Sequence, residues 1–264
     1  MTPQMTRRKA IAALGTAGLG GVLAACSNGD DEADAEQTTR TSTTTSTTST
    51  SAAATANATS DLASRFEEAS SCSLTPEETE GPYYIDVDSI RSDIRDGRPG
   101  KDLKVGIRVL DESCDPVPDA VVEIWHCDGS GVYSGFEDQS QQANGGSGTT
   151  TGGTDTTRYL RGGQVTDADG IAQILTIYPG WYQGRTVHIH SKVHINNAEA
   201  LTTQLFFDDA VSDALFADSS PYDEHTGRQT TNANDGIFLD DTLLTLSEDG
   251  DGYLGLITLN VDRG

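Results

Sequence analysis

The sequence is poor in basic residues for its length. Its 264 residues include 17 Lys and Arg against 41 Asp and Glu, which gives a formal charge of −24 at pH 7. Proteins that bind nucleic acids or anionic lipid surfaces need clustered positive charge to pair with phosphate groups. The composition therefore argues against a nucleic-acid partner and against a membrane surface bound through charge.

Lysine is scarcer still, and aspartate outnumbers glutamate among the acidic residues. At about 1 M salt the Debye length falls to about 3 Å, so an acidic surface stays hydrated while its self-repulsion is screened. This pattern predicts a salt-loving source organism. It also predicts that most of the carboxylates are solvated surface groups without a role in chemistry.

Long apolar runs are absent apart from one stretch at residues 10–25, which is too short and too rich in small residues to predict a membrane span. Arg7 and Arg8 precede it, and this layout is typical of a secretory signal of the twin-arginine kind. Residues 23–26 resemble a lipoprotein cleavage site, which would make Cys26 the lipidated first residue; the alternative is a free or disulfide-bonded cysteine. We therefore expect an extracellular or cell-surface protein that is anchored through lipid.

The next stretch lacks the apolar residues that a core requires. Residues 27–66 are acidic at first and then rich in Thr, Ser and Ala, a composition typical of a disordered tether. We divide the chain into a signal peptide at 1–26, this tether at 27–66 and one domain at 67–264. Residues 137–157 are equally poor in apolar side chains and predict a flexible insertion within the domain.

Cysteine is rare, and no Cys-x-x-Cys pair occurs, which disfavours a thiolate zinc site. Cys72, Cys114 and Cys127 remain outside the signal. In an exported protein this number predicts one disulfide and one free thiol, and the sequence leaves all three pairings open.

Sustained helical periodicity is also scarce. Short apolar runs between Pro, Gly, Asn and Asp clusters predict an all-β fold, an antiparallel β-sandwich of the immunoglobulin-like or Greek-key type with long loops. Helices are expected only at 209–216 and 61–69. The predicted strands are 103–110, 120–126, 164–166, 171–177, 186–195, 201–207 and 253–261.

The chemistry is concentrated in one His-x-His motif. Side chains two residues apart on a strand share a face, so His188 and His190 are placed to bind one metal ion. Two imidazoles alone leave Zn, Cu, Fe and Ni open, and a structural pair of histidines is the alternative.

Several blocks together carry a family resemblance: LTPEETEGPYY at 74–84, VEIWHCD at 122–128, GVYS at 131–134, LRG at 160–162, TD at 166–167 and PGWYQGRTVHIH at 179–190. In this order, over about residues 72–207, they resemble the intradiol ring-cleavage dioxygenases, the family of the catechol and protocatechuate dioxygenases. The chain is most similar to the secreted single-domain members, because it has no sign of the helical dimerisation region of the cytoplasmic catechol enzymes.

The resemblance implies a β-sandwich that holds one non-haem Fe(III) ion per chain. By matching motif, its ligands are the phenolates of Tyr133 and Tyr182 and the imidazoles of His188 and His190. The implied reaction cleaves a catechol-type ring with O2 to a cis,cis-muconate, with both oxygen atoms in the product. The implied partners are thus a small aromatic diol and O2.

The same resemblance assigns roles around the metal. Arg185 stabilises negative charge on the substrate, Tyr182 takes up a substrate proton, and Gln204 helps to shape the active site. Residues Gly81, Pro82 and Tyr83 match the segment that closes one side of the substrate cavity. The short interval from Tyr182 to Arg185 and the insertion at 137–157 depart from better-known members, so the ring substituents of the substrate stay undetermined.

Two other function classes are alternatives. One is a non-catalytic, surface-anchored β-sandwich that binds a metal, carbohydrate or protein partner through a degenerate site. The other is a metallohydrolase with Glu123 as its nearest candidate carboxylate. The remaining residues that could carry chemistry, but that we interpret as structural or exposed, are His126, His194, His225, Trp125 and Trp181; His126 is the one that could orient a ligand.

Overall fold

The computed structural model describes residues 62–66, 72–143 and 155–263. The predicted signal peptide, including Cys26, and the tether up to residue 61 lie outside the described residues. In the part of the chain that the structure describes, no helix is both long and apolar enough to cross a membrane.

Strands dominate the described chain. All seven predicted strands are present within a few residues of their predicted bounds, and one further short strand follows residue 244. The strands are β1 (Asp102–Asp111), β2 (Val121–Trp125), β3 (Arg161–Val165), β4 (Ile171–Ile177), β5 (His188–Ile195), β6 (Ala198–Phe206), β7 (Thr245–Asp249) and β8 (Gly252–Val261). The prediction missed β7 because its side chains are mostly exposed and show no apolar alternation.

The strands form two four-stranded sheets, in the orders β4-β1-β8-β7 and β3-β2-β5-β6. Five of the six strand pairings are antiparallel. The prediction of an antiparallel sandwich holds for these five pairs, and β1 with β8 is the exception, because they pair in parallel from Leu103–Tyr253 to Asp111–Val261. A parallel pairing joins strands that are distant in sequence, so local turn signals cannot reveal it. The Greek-key connectivity stays a prediction.

The core lies between the two sheets and follows from the two-residue period of the strands. Val105 and Val109 of β1 are buried in one cluster with Val122 of β2 and with Ile189 and Val193 of β5. The alternate residues of β5, His188 and His190, therefore point to the opposite face of their sheet. That outer face carries the candidate site.

The structure describes two α-helices of seven or more residues and three 3-10 helices (Tyr222–Glu224, Asn232–Asn234 and Asp240–Thr242). Of the helix expected at 61–69, residues 62 and 63 are helical, residues 64 and 65 form a turn and residue 66 a bend. One of the two longer helices corrects the prediction. Helix α2 (Asp209–Asp218) was expected, and Asp208 caps it by accepting hydrogen bonds from the backbone N–H groups of Ala210 and Val211. Helix α1 (Glu137–Ala143) occupies the start of the segment 137–157. The prediction of a flexible insertion is therefore wrong for these seven residues. Residues 144–154 lie outside the described residues.

The N-terminal boundary also needs a correction. Residues 62–66 were assigned to the tether, but Leu62 and Phe66 are buried against Ile171, Leu254 and Leu256. Leu62 and Phe66 are four residues apart, and their burial attaches residues 62–66 to the sheet. The prediction of one disulfide and one free thiol is confirmed: Cys72 and Cys114 form a disulfide, and Cys127 is a buried free thiol.

Candidate metal and substrate site

The two histidines of β5 face each other on the outer side of the sheet. Both are buried, and their Nε2 atoms are 3.2 Å apart. His188 Nδ1 lies 2.7 Å from the Thr186 carbonyl oxygen, which can only accept, so the ring donates there and leaves Nε2 with its lone pair. Burial lowers the pKa of both imidazoles well below its ordinary value, so both are neutral.

The strand register places an aromatic wall and an amide beside the histidines. His190 is opposite Trp125 on one side and Gln204 on the other. The Trp125 and His190 rings stack with their centroids 5.0 Å apart and an angle of 6° between their planes. Trp125 thus fixes the plane of His190.

Two tyrosines from different loops complete the cluster. Tyr133 follows β2, and its backbone N–H donates to Ser140 Oγ of helix α1 at 3.0 Å. Tyr182 precedes β5, and its hydroxyl donates to His188 Nε2 at 3.0 Å. The two phenol rings are 5.7 Å apart between centroids. Burial raises the pKa of both phenols above its ordinary value, so neither ionises at neutral pH without a cation close by.

The donor set fits one metal ion. If two ligand atoms each lie about 2.1 Å from one ion and form a right angle at it, they are about 3.0 Å from each other. His188 Nε2 lies 3.0 Å from the Tyr182 hydroxyl oxygen and 3.2 Å from His190 Nε2, which is close to that separation. The Tyr133 hydroxyl is buried and has no hydrogen-bond partner among the described residues. In the same part of the chain no three His, Cys, Asp or Glu side chains form a metal-binding group, and the other donor atoms beside the two histidines are the phenol oxygens.

Arg185 lies at the edge of this cluster in a buried ion pair. Its Nε donates to Asp235 Oδ2 at 2.9 Å, its Nη2 donates to Gln204 Oε1 at 2.6 Å, and its Nη1 is 3.5 Å from His188 Nε2. Asp235 also accepts the Thr186 backbone N–H at 2.7 Å, so it holds the loop that leads into β5. The structure therefore places Arg185 beside His188 and Gln204 beside His190.

The segment that precedes the domain's first strand covers the site. Gln204 Nε2 donates to the Thr79 carbonyl oxygen at 2.8 Å. Gly81 follows with φ +73°, and a Cβ atom built there would be 3.0 Å from Cε1 of His190. The Tyr83 ring stacks on that of Tyr133 with centroids 4.6 Å apart. Pro82 lies exposed between these two residues.

The remaining candidates take no part in the ligand cluster. Buried His126 lies 2.7 Å from both the Cys127 carbonyl oxygen and Thr176 Oγ1, and burial lowers its pKa to about 4. His194 lies 3.6 Å from Glu123, which also accepts a hydrogen bond from the Tyr84 hydroxyl. The third histidine, His225, stacks on Trp181.

Sequence reasoning missed two acidic residues. Asp235 lies in an Asn-Asp-Gly turn 50 residues after Arg185, and nothing local indicates that they pair. Glu78 lies within the 74–84 block, but no role was assigned to it. Its carboxyl interacts electrostatically with Arg185 and Asp235, and its Oε2 atom is buried without a hydrogen-bond partner among the described residues.

Comparisons with known proteins identify the family to which the chain is similar. A family model described as Dioxygenase matches residues 79–234. The chain is 29% identical over 194 residues to catechol 1,2-dioxygenase of Acinetobacter baylyi, covering 61% of this chain and 57% of that one. It therefore spans little more than half the length of this curated relative.

Solved structures give the same result. An intradiol ring-cleavage dioxygenase from Tetranychus urticae is 36% identical with a TM-score of 0.65, over 72% of this chain and 95% of that one. The dioxygenase domain of a dioxygenase carbohydrate-binding protein fusion from Streptomyces sp. SirexAA-E is 29% identical with a TM-score of 0.52. That match covers 73% of this chain and 100% of the domain.

Proposed function

The chain belongs to the intradiol ring-cleavage dioxygenase family, and from this membership we propose that it cleaves a catechol-type aromatic ring with O2 to a cis,cis-muconate-type product, using one non-haem Fe(III) ion. The observation that carries the proposal is the convergence of two phenols and two neutral imidazoles on one face of the sheet. Tyr133, Tyr182, His188 and His190 are the proposed ligands.

The donor chemistry suits a ferric ion. A hard, highly charged cation favours anionic oxygen donors, and its charge would overcome the burial that keeps both phenols neutral in its absence. When bound, Fe(III) supplies Lewis acidity and a template for the diol. O2 and the aromatic diol are the proposed small-molecule partners.

The protein residues around the metal have separate proposed roles. The Arg185 guanidinium, held by Asp235 and Gln204, faces negative charge that develops on the ring. Tyr182 Oη lies 3.0 Å from His188 Nε2, and once a bound ferric ion has caused its phenol to ionise, it is the atom that we expect to accept a substrate proton. Gly81, Pro82 and Tyr83 form one wall of the ring-binding cavity, and buried Tyr83 excludes water from the Tyr133 side.

The first test is a visible absorption spectrum of the purified protein together with its iron content. We expect a broad visible band from phenolate-to-Fe(III) charge transfer that shifts on addition of catechol, followed by O2 uptake in air. Tyr133→Phe and His190→Ala are expected to lose the iron, the colour and the turnover.

Matched controls separate loss of the ligands from general damage. Tyr253→Phe removes a phenol hydroxyl in the other sheet, and His194→Ala removes the third imidazole of β5; both are expected to keep the colour and the turnover. A wild-type protein that stays colourless after incubation with iron would contradict the proposal and favour the non-catalytic binding module. Full activity in Tyr133→Phe would refute the ligand assignment.

We also propose that the protein is exported and anchored at the cell surface through lipid on Cys26. The motif at 23–26 and the paired Arg7 and Arg8 support this location. Mass spectrometry of the N-terminal peptide from the native host tests it: a diacylglyceryl group on Cys26 is expected, and an unprocessed N-terminus would contradict it.

A further inference from the structure

Glu78 is held next to the proposed substrate site by its backbone. Strand β6 is the last strand of its sheet, and the N-terminal segment runs along its free edge. The Glu78 backbone N–H donates to the Thr202 carbonyl oxygen at 2.8 Å, and Gln204 Nε2 binds the next residue, Thr79, at its carbonyl oxygen. These two hydrogen bonds place Glu78 beside the Gln204 that contacts Arg185.

The carboxyl of Glu78 has an unused acceptor. Its Oε2 atom is buried without a hydrogen-bond partner in the residues that the structure describes. A buried carboxyl oxygen without a donor is unfavourable and is rare in folded proteins, and a ligand group that donates a hydrogen bond here would satisfy it. Burial raises the pKa of Glu78 to about 7, an effect that Arg185 opposes and Asp235 reinforces.

Arg185 is the basic residue whose charge acts on Glu78, and it already has an acidic partner. Arg185 is already paired with Asp235, whose side chain is almost fully buried, and its Nη2 is already bound to Gln204. An ionised Glu78 therefore makes this corner of the site negative. A ring carboxylate placed here would be repelled, whereas a hydroxyl or amino group would donate a hydrogen bond to Oε2.

We infer that Glu78 is a specificity-determining residue, and that it selects catechol-type rings that carry a further hydrogen-bond donor over rings that carry a carboxylate. The inference rests on the proposed function of the site and names its substrate class. Tyr182, Arg185, Gly81 and Glu78 are all partly exposed, so the ring approaches the ligands between the loop at 181–185 and the segment at 78–82.

The test is an anaerobic titration of the iron-loaded protein at pH 8, where a Glu78 carboxyl with a pKa of about 7 is mostly ionised. Without O2, binding can be measured without turnover. Dissociation constants for catechol, 3,4-dihydroxybenzoate and 1,2,4-trihydroxybenzene are measured by the shift of the visible band and, independently, by calorimetry. Wild type is expected to bind the trihydroxybenzene most tightly and the benzoate most weakly.

Substitutions at residue 78 isolate the cause. Glu78→Gln keeps the shape but removes the negative charge, so we expect it to bind 3,4-dihydroxybenzoate about tenfold more tightly and catechol within about twofold of wild type. Glu78→Ala is expected to weaken binding of the trihydroxybenzene about tenfold, the factor for loss of one hydrogen bond to a charged group. Glu77→Gln is the matched control, because it makes the same charge change at an exposed neighbour and is expected to change none of these values.

The outcomes separate this inference from the function on which it rests. One outcome is that wild type binds catechol, but the ratio of the benzoate to the catechol dissociation constant is the same in wild type, Glu78→Gln and Glu77→Gln. The specificity role of Glu78 is then refuted, and the proposed function stands. If wild type binds none of the three diols, the proposed function fails and the inference fails with it.

Discussion

Gly81 is the residue of the N-terminal segment that lies against His190, one of the proposed metal ligands. Its backbone has φ +73°, and a methyl group at its Cα would be 3.0 Å from the His190 ring. That ring cannot move away freely, because it is buried and stacked on Trp125. The close approach of the N-terminal segment to the His190 ring therefore depends on the missing side chain of Gly81.

We predict that Gly81→Ala weakens iron binding on the order of tenfold, because the methyl group displaces the His190 imidazole from its place beside His188. Equilibrium dialysis against a competing chelator measures the change. Gly97→Ala is the matched control: Gly97 has φ +72° but nothing within 4 Å of its Cβ position. Both variants carry the same backbone strain, roughly 1 kcal/mol or more. Equal iron affinities in the two variants would contradict the prediction.

At this scale the sequence predicts part of the site. The two-residue period of a strand is enough to place His188 and His190 on one face, and the structure agrees. Tyr133 and Tyr182 could be chosen only through the family resemblance, since a tyrosine in a loop carries no local sign of a metal. Asp235 could not be found at all, because its pairing with Arg185 depends on a contact across 50 residues.

At the scale of elements, turn and alternation signals predict the strands but not their partners. The strand at 171–177 has the predicted bounds, because buried Ile171, Ile174 and Ile177 stand between clear turns. The parallel pairing of β1 with β8 and the helix α1 were not predicted. Helix α1 forms in a polar stretch because buried Ser140 bonds the Tyr133 backbone and acidic Glu137 and Asp138 occupy its first turn.

The disulfide connects the N-terminal segment to the turn after β1. Cys72 precedes the residues that cover the site, and Cys114 lies 42 residues later in the chain. A cross-link of this span restricts the unfolded chain, which in the chain-entropy description is worth about 4 kcal/mol. The bond therefore stabilises the fold and keeps the covering segment close to β6.

We predict that the double substitution Cys72→Ser with Cys114→Ser lowers the free energy of unfolding by about 2–4 kcal/mol. Denaturant unfolding of the metal-free protein, followed by fluorescence, measures this. Dithiothreitol supplies the control, since it is expected to lower the stability of wild type towards that of the double variant and to leave the variant unchanged. A variant as stable as the oxidised wild type would show that the segment is held by its hydrogen bonds alone.

At the scale of the whole molecule, the excess of acidic residues matters more than any single ion pair. The described chain contains specific pairs such as Arg185–Asp235, but the formal charge of −24 means that most carboxylates have no basic partner. Their mutual repulsion opposes the compact state and is felt over the Debye length, about 10 Å at 0.1 M salt. Buried pairs are screened much less than this surface repulsion.

We therefore predict that raising NaCl from about 0.1 M to about 1 M increases the melting temperature of the metal-free protein, because the Debye length falls to about 3 Å. Calorimetry at pH 7 measures the shift. Sucrose at matched osmolality is the control, since it favours burial without screening charge. A larger shift in NaCl than in sucrose would support the predicted adaptation to salt. A melting temperature that is constant or falls with NaCl would show that exposed ion pairs, which salt weakens, contribute more than the net repulsion.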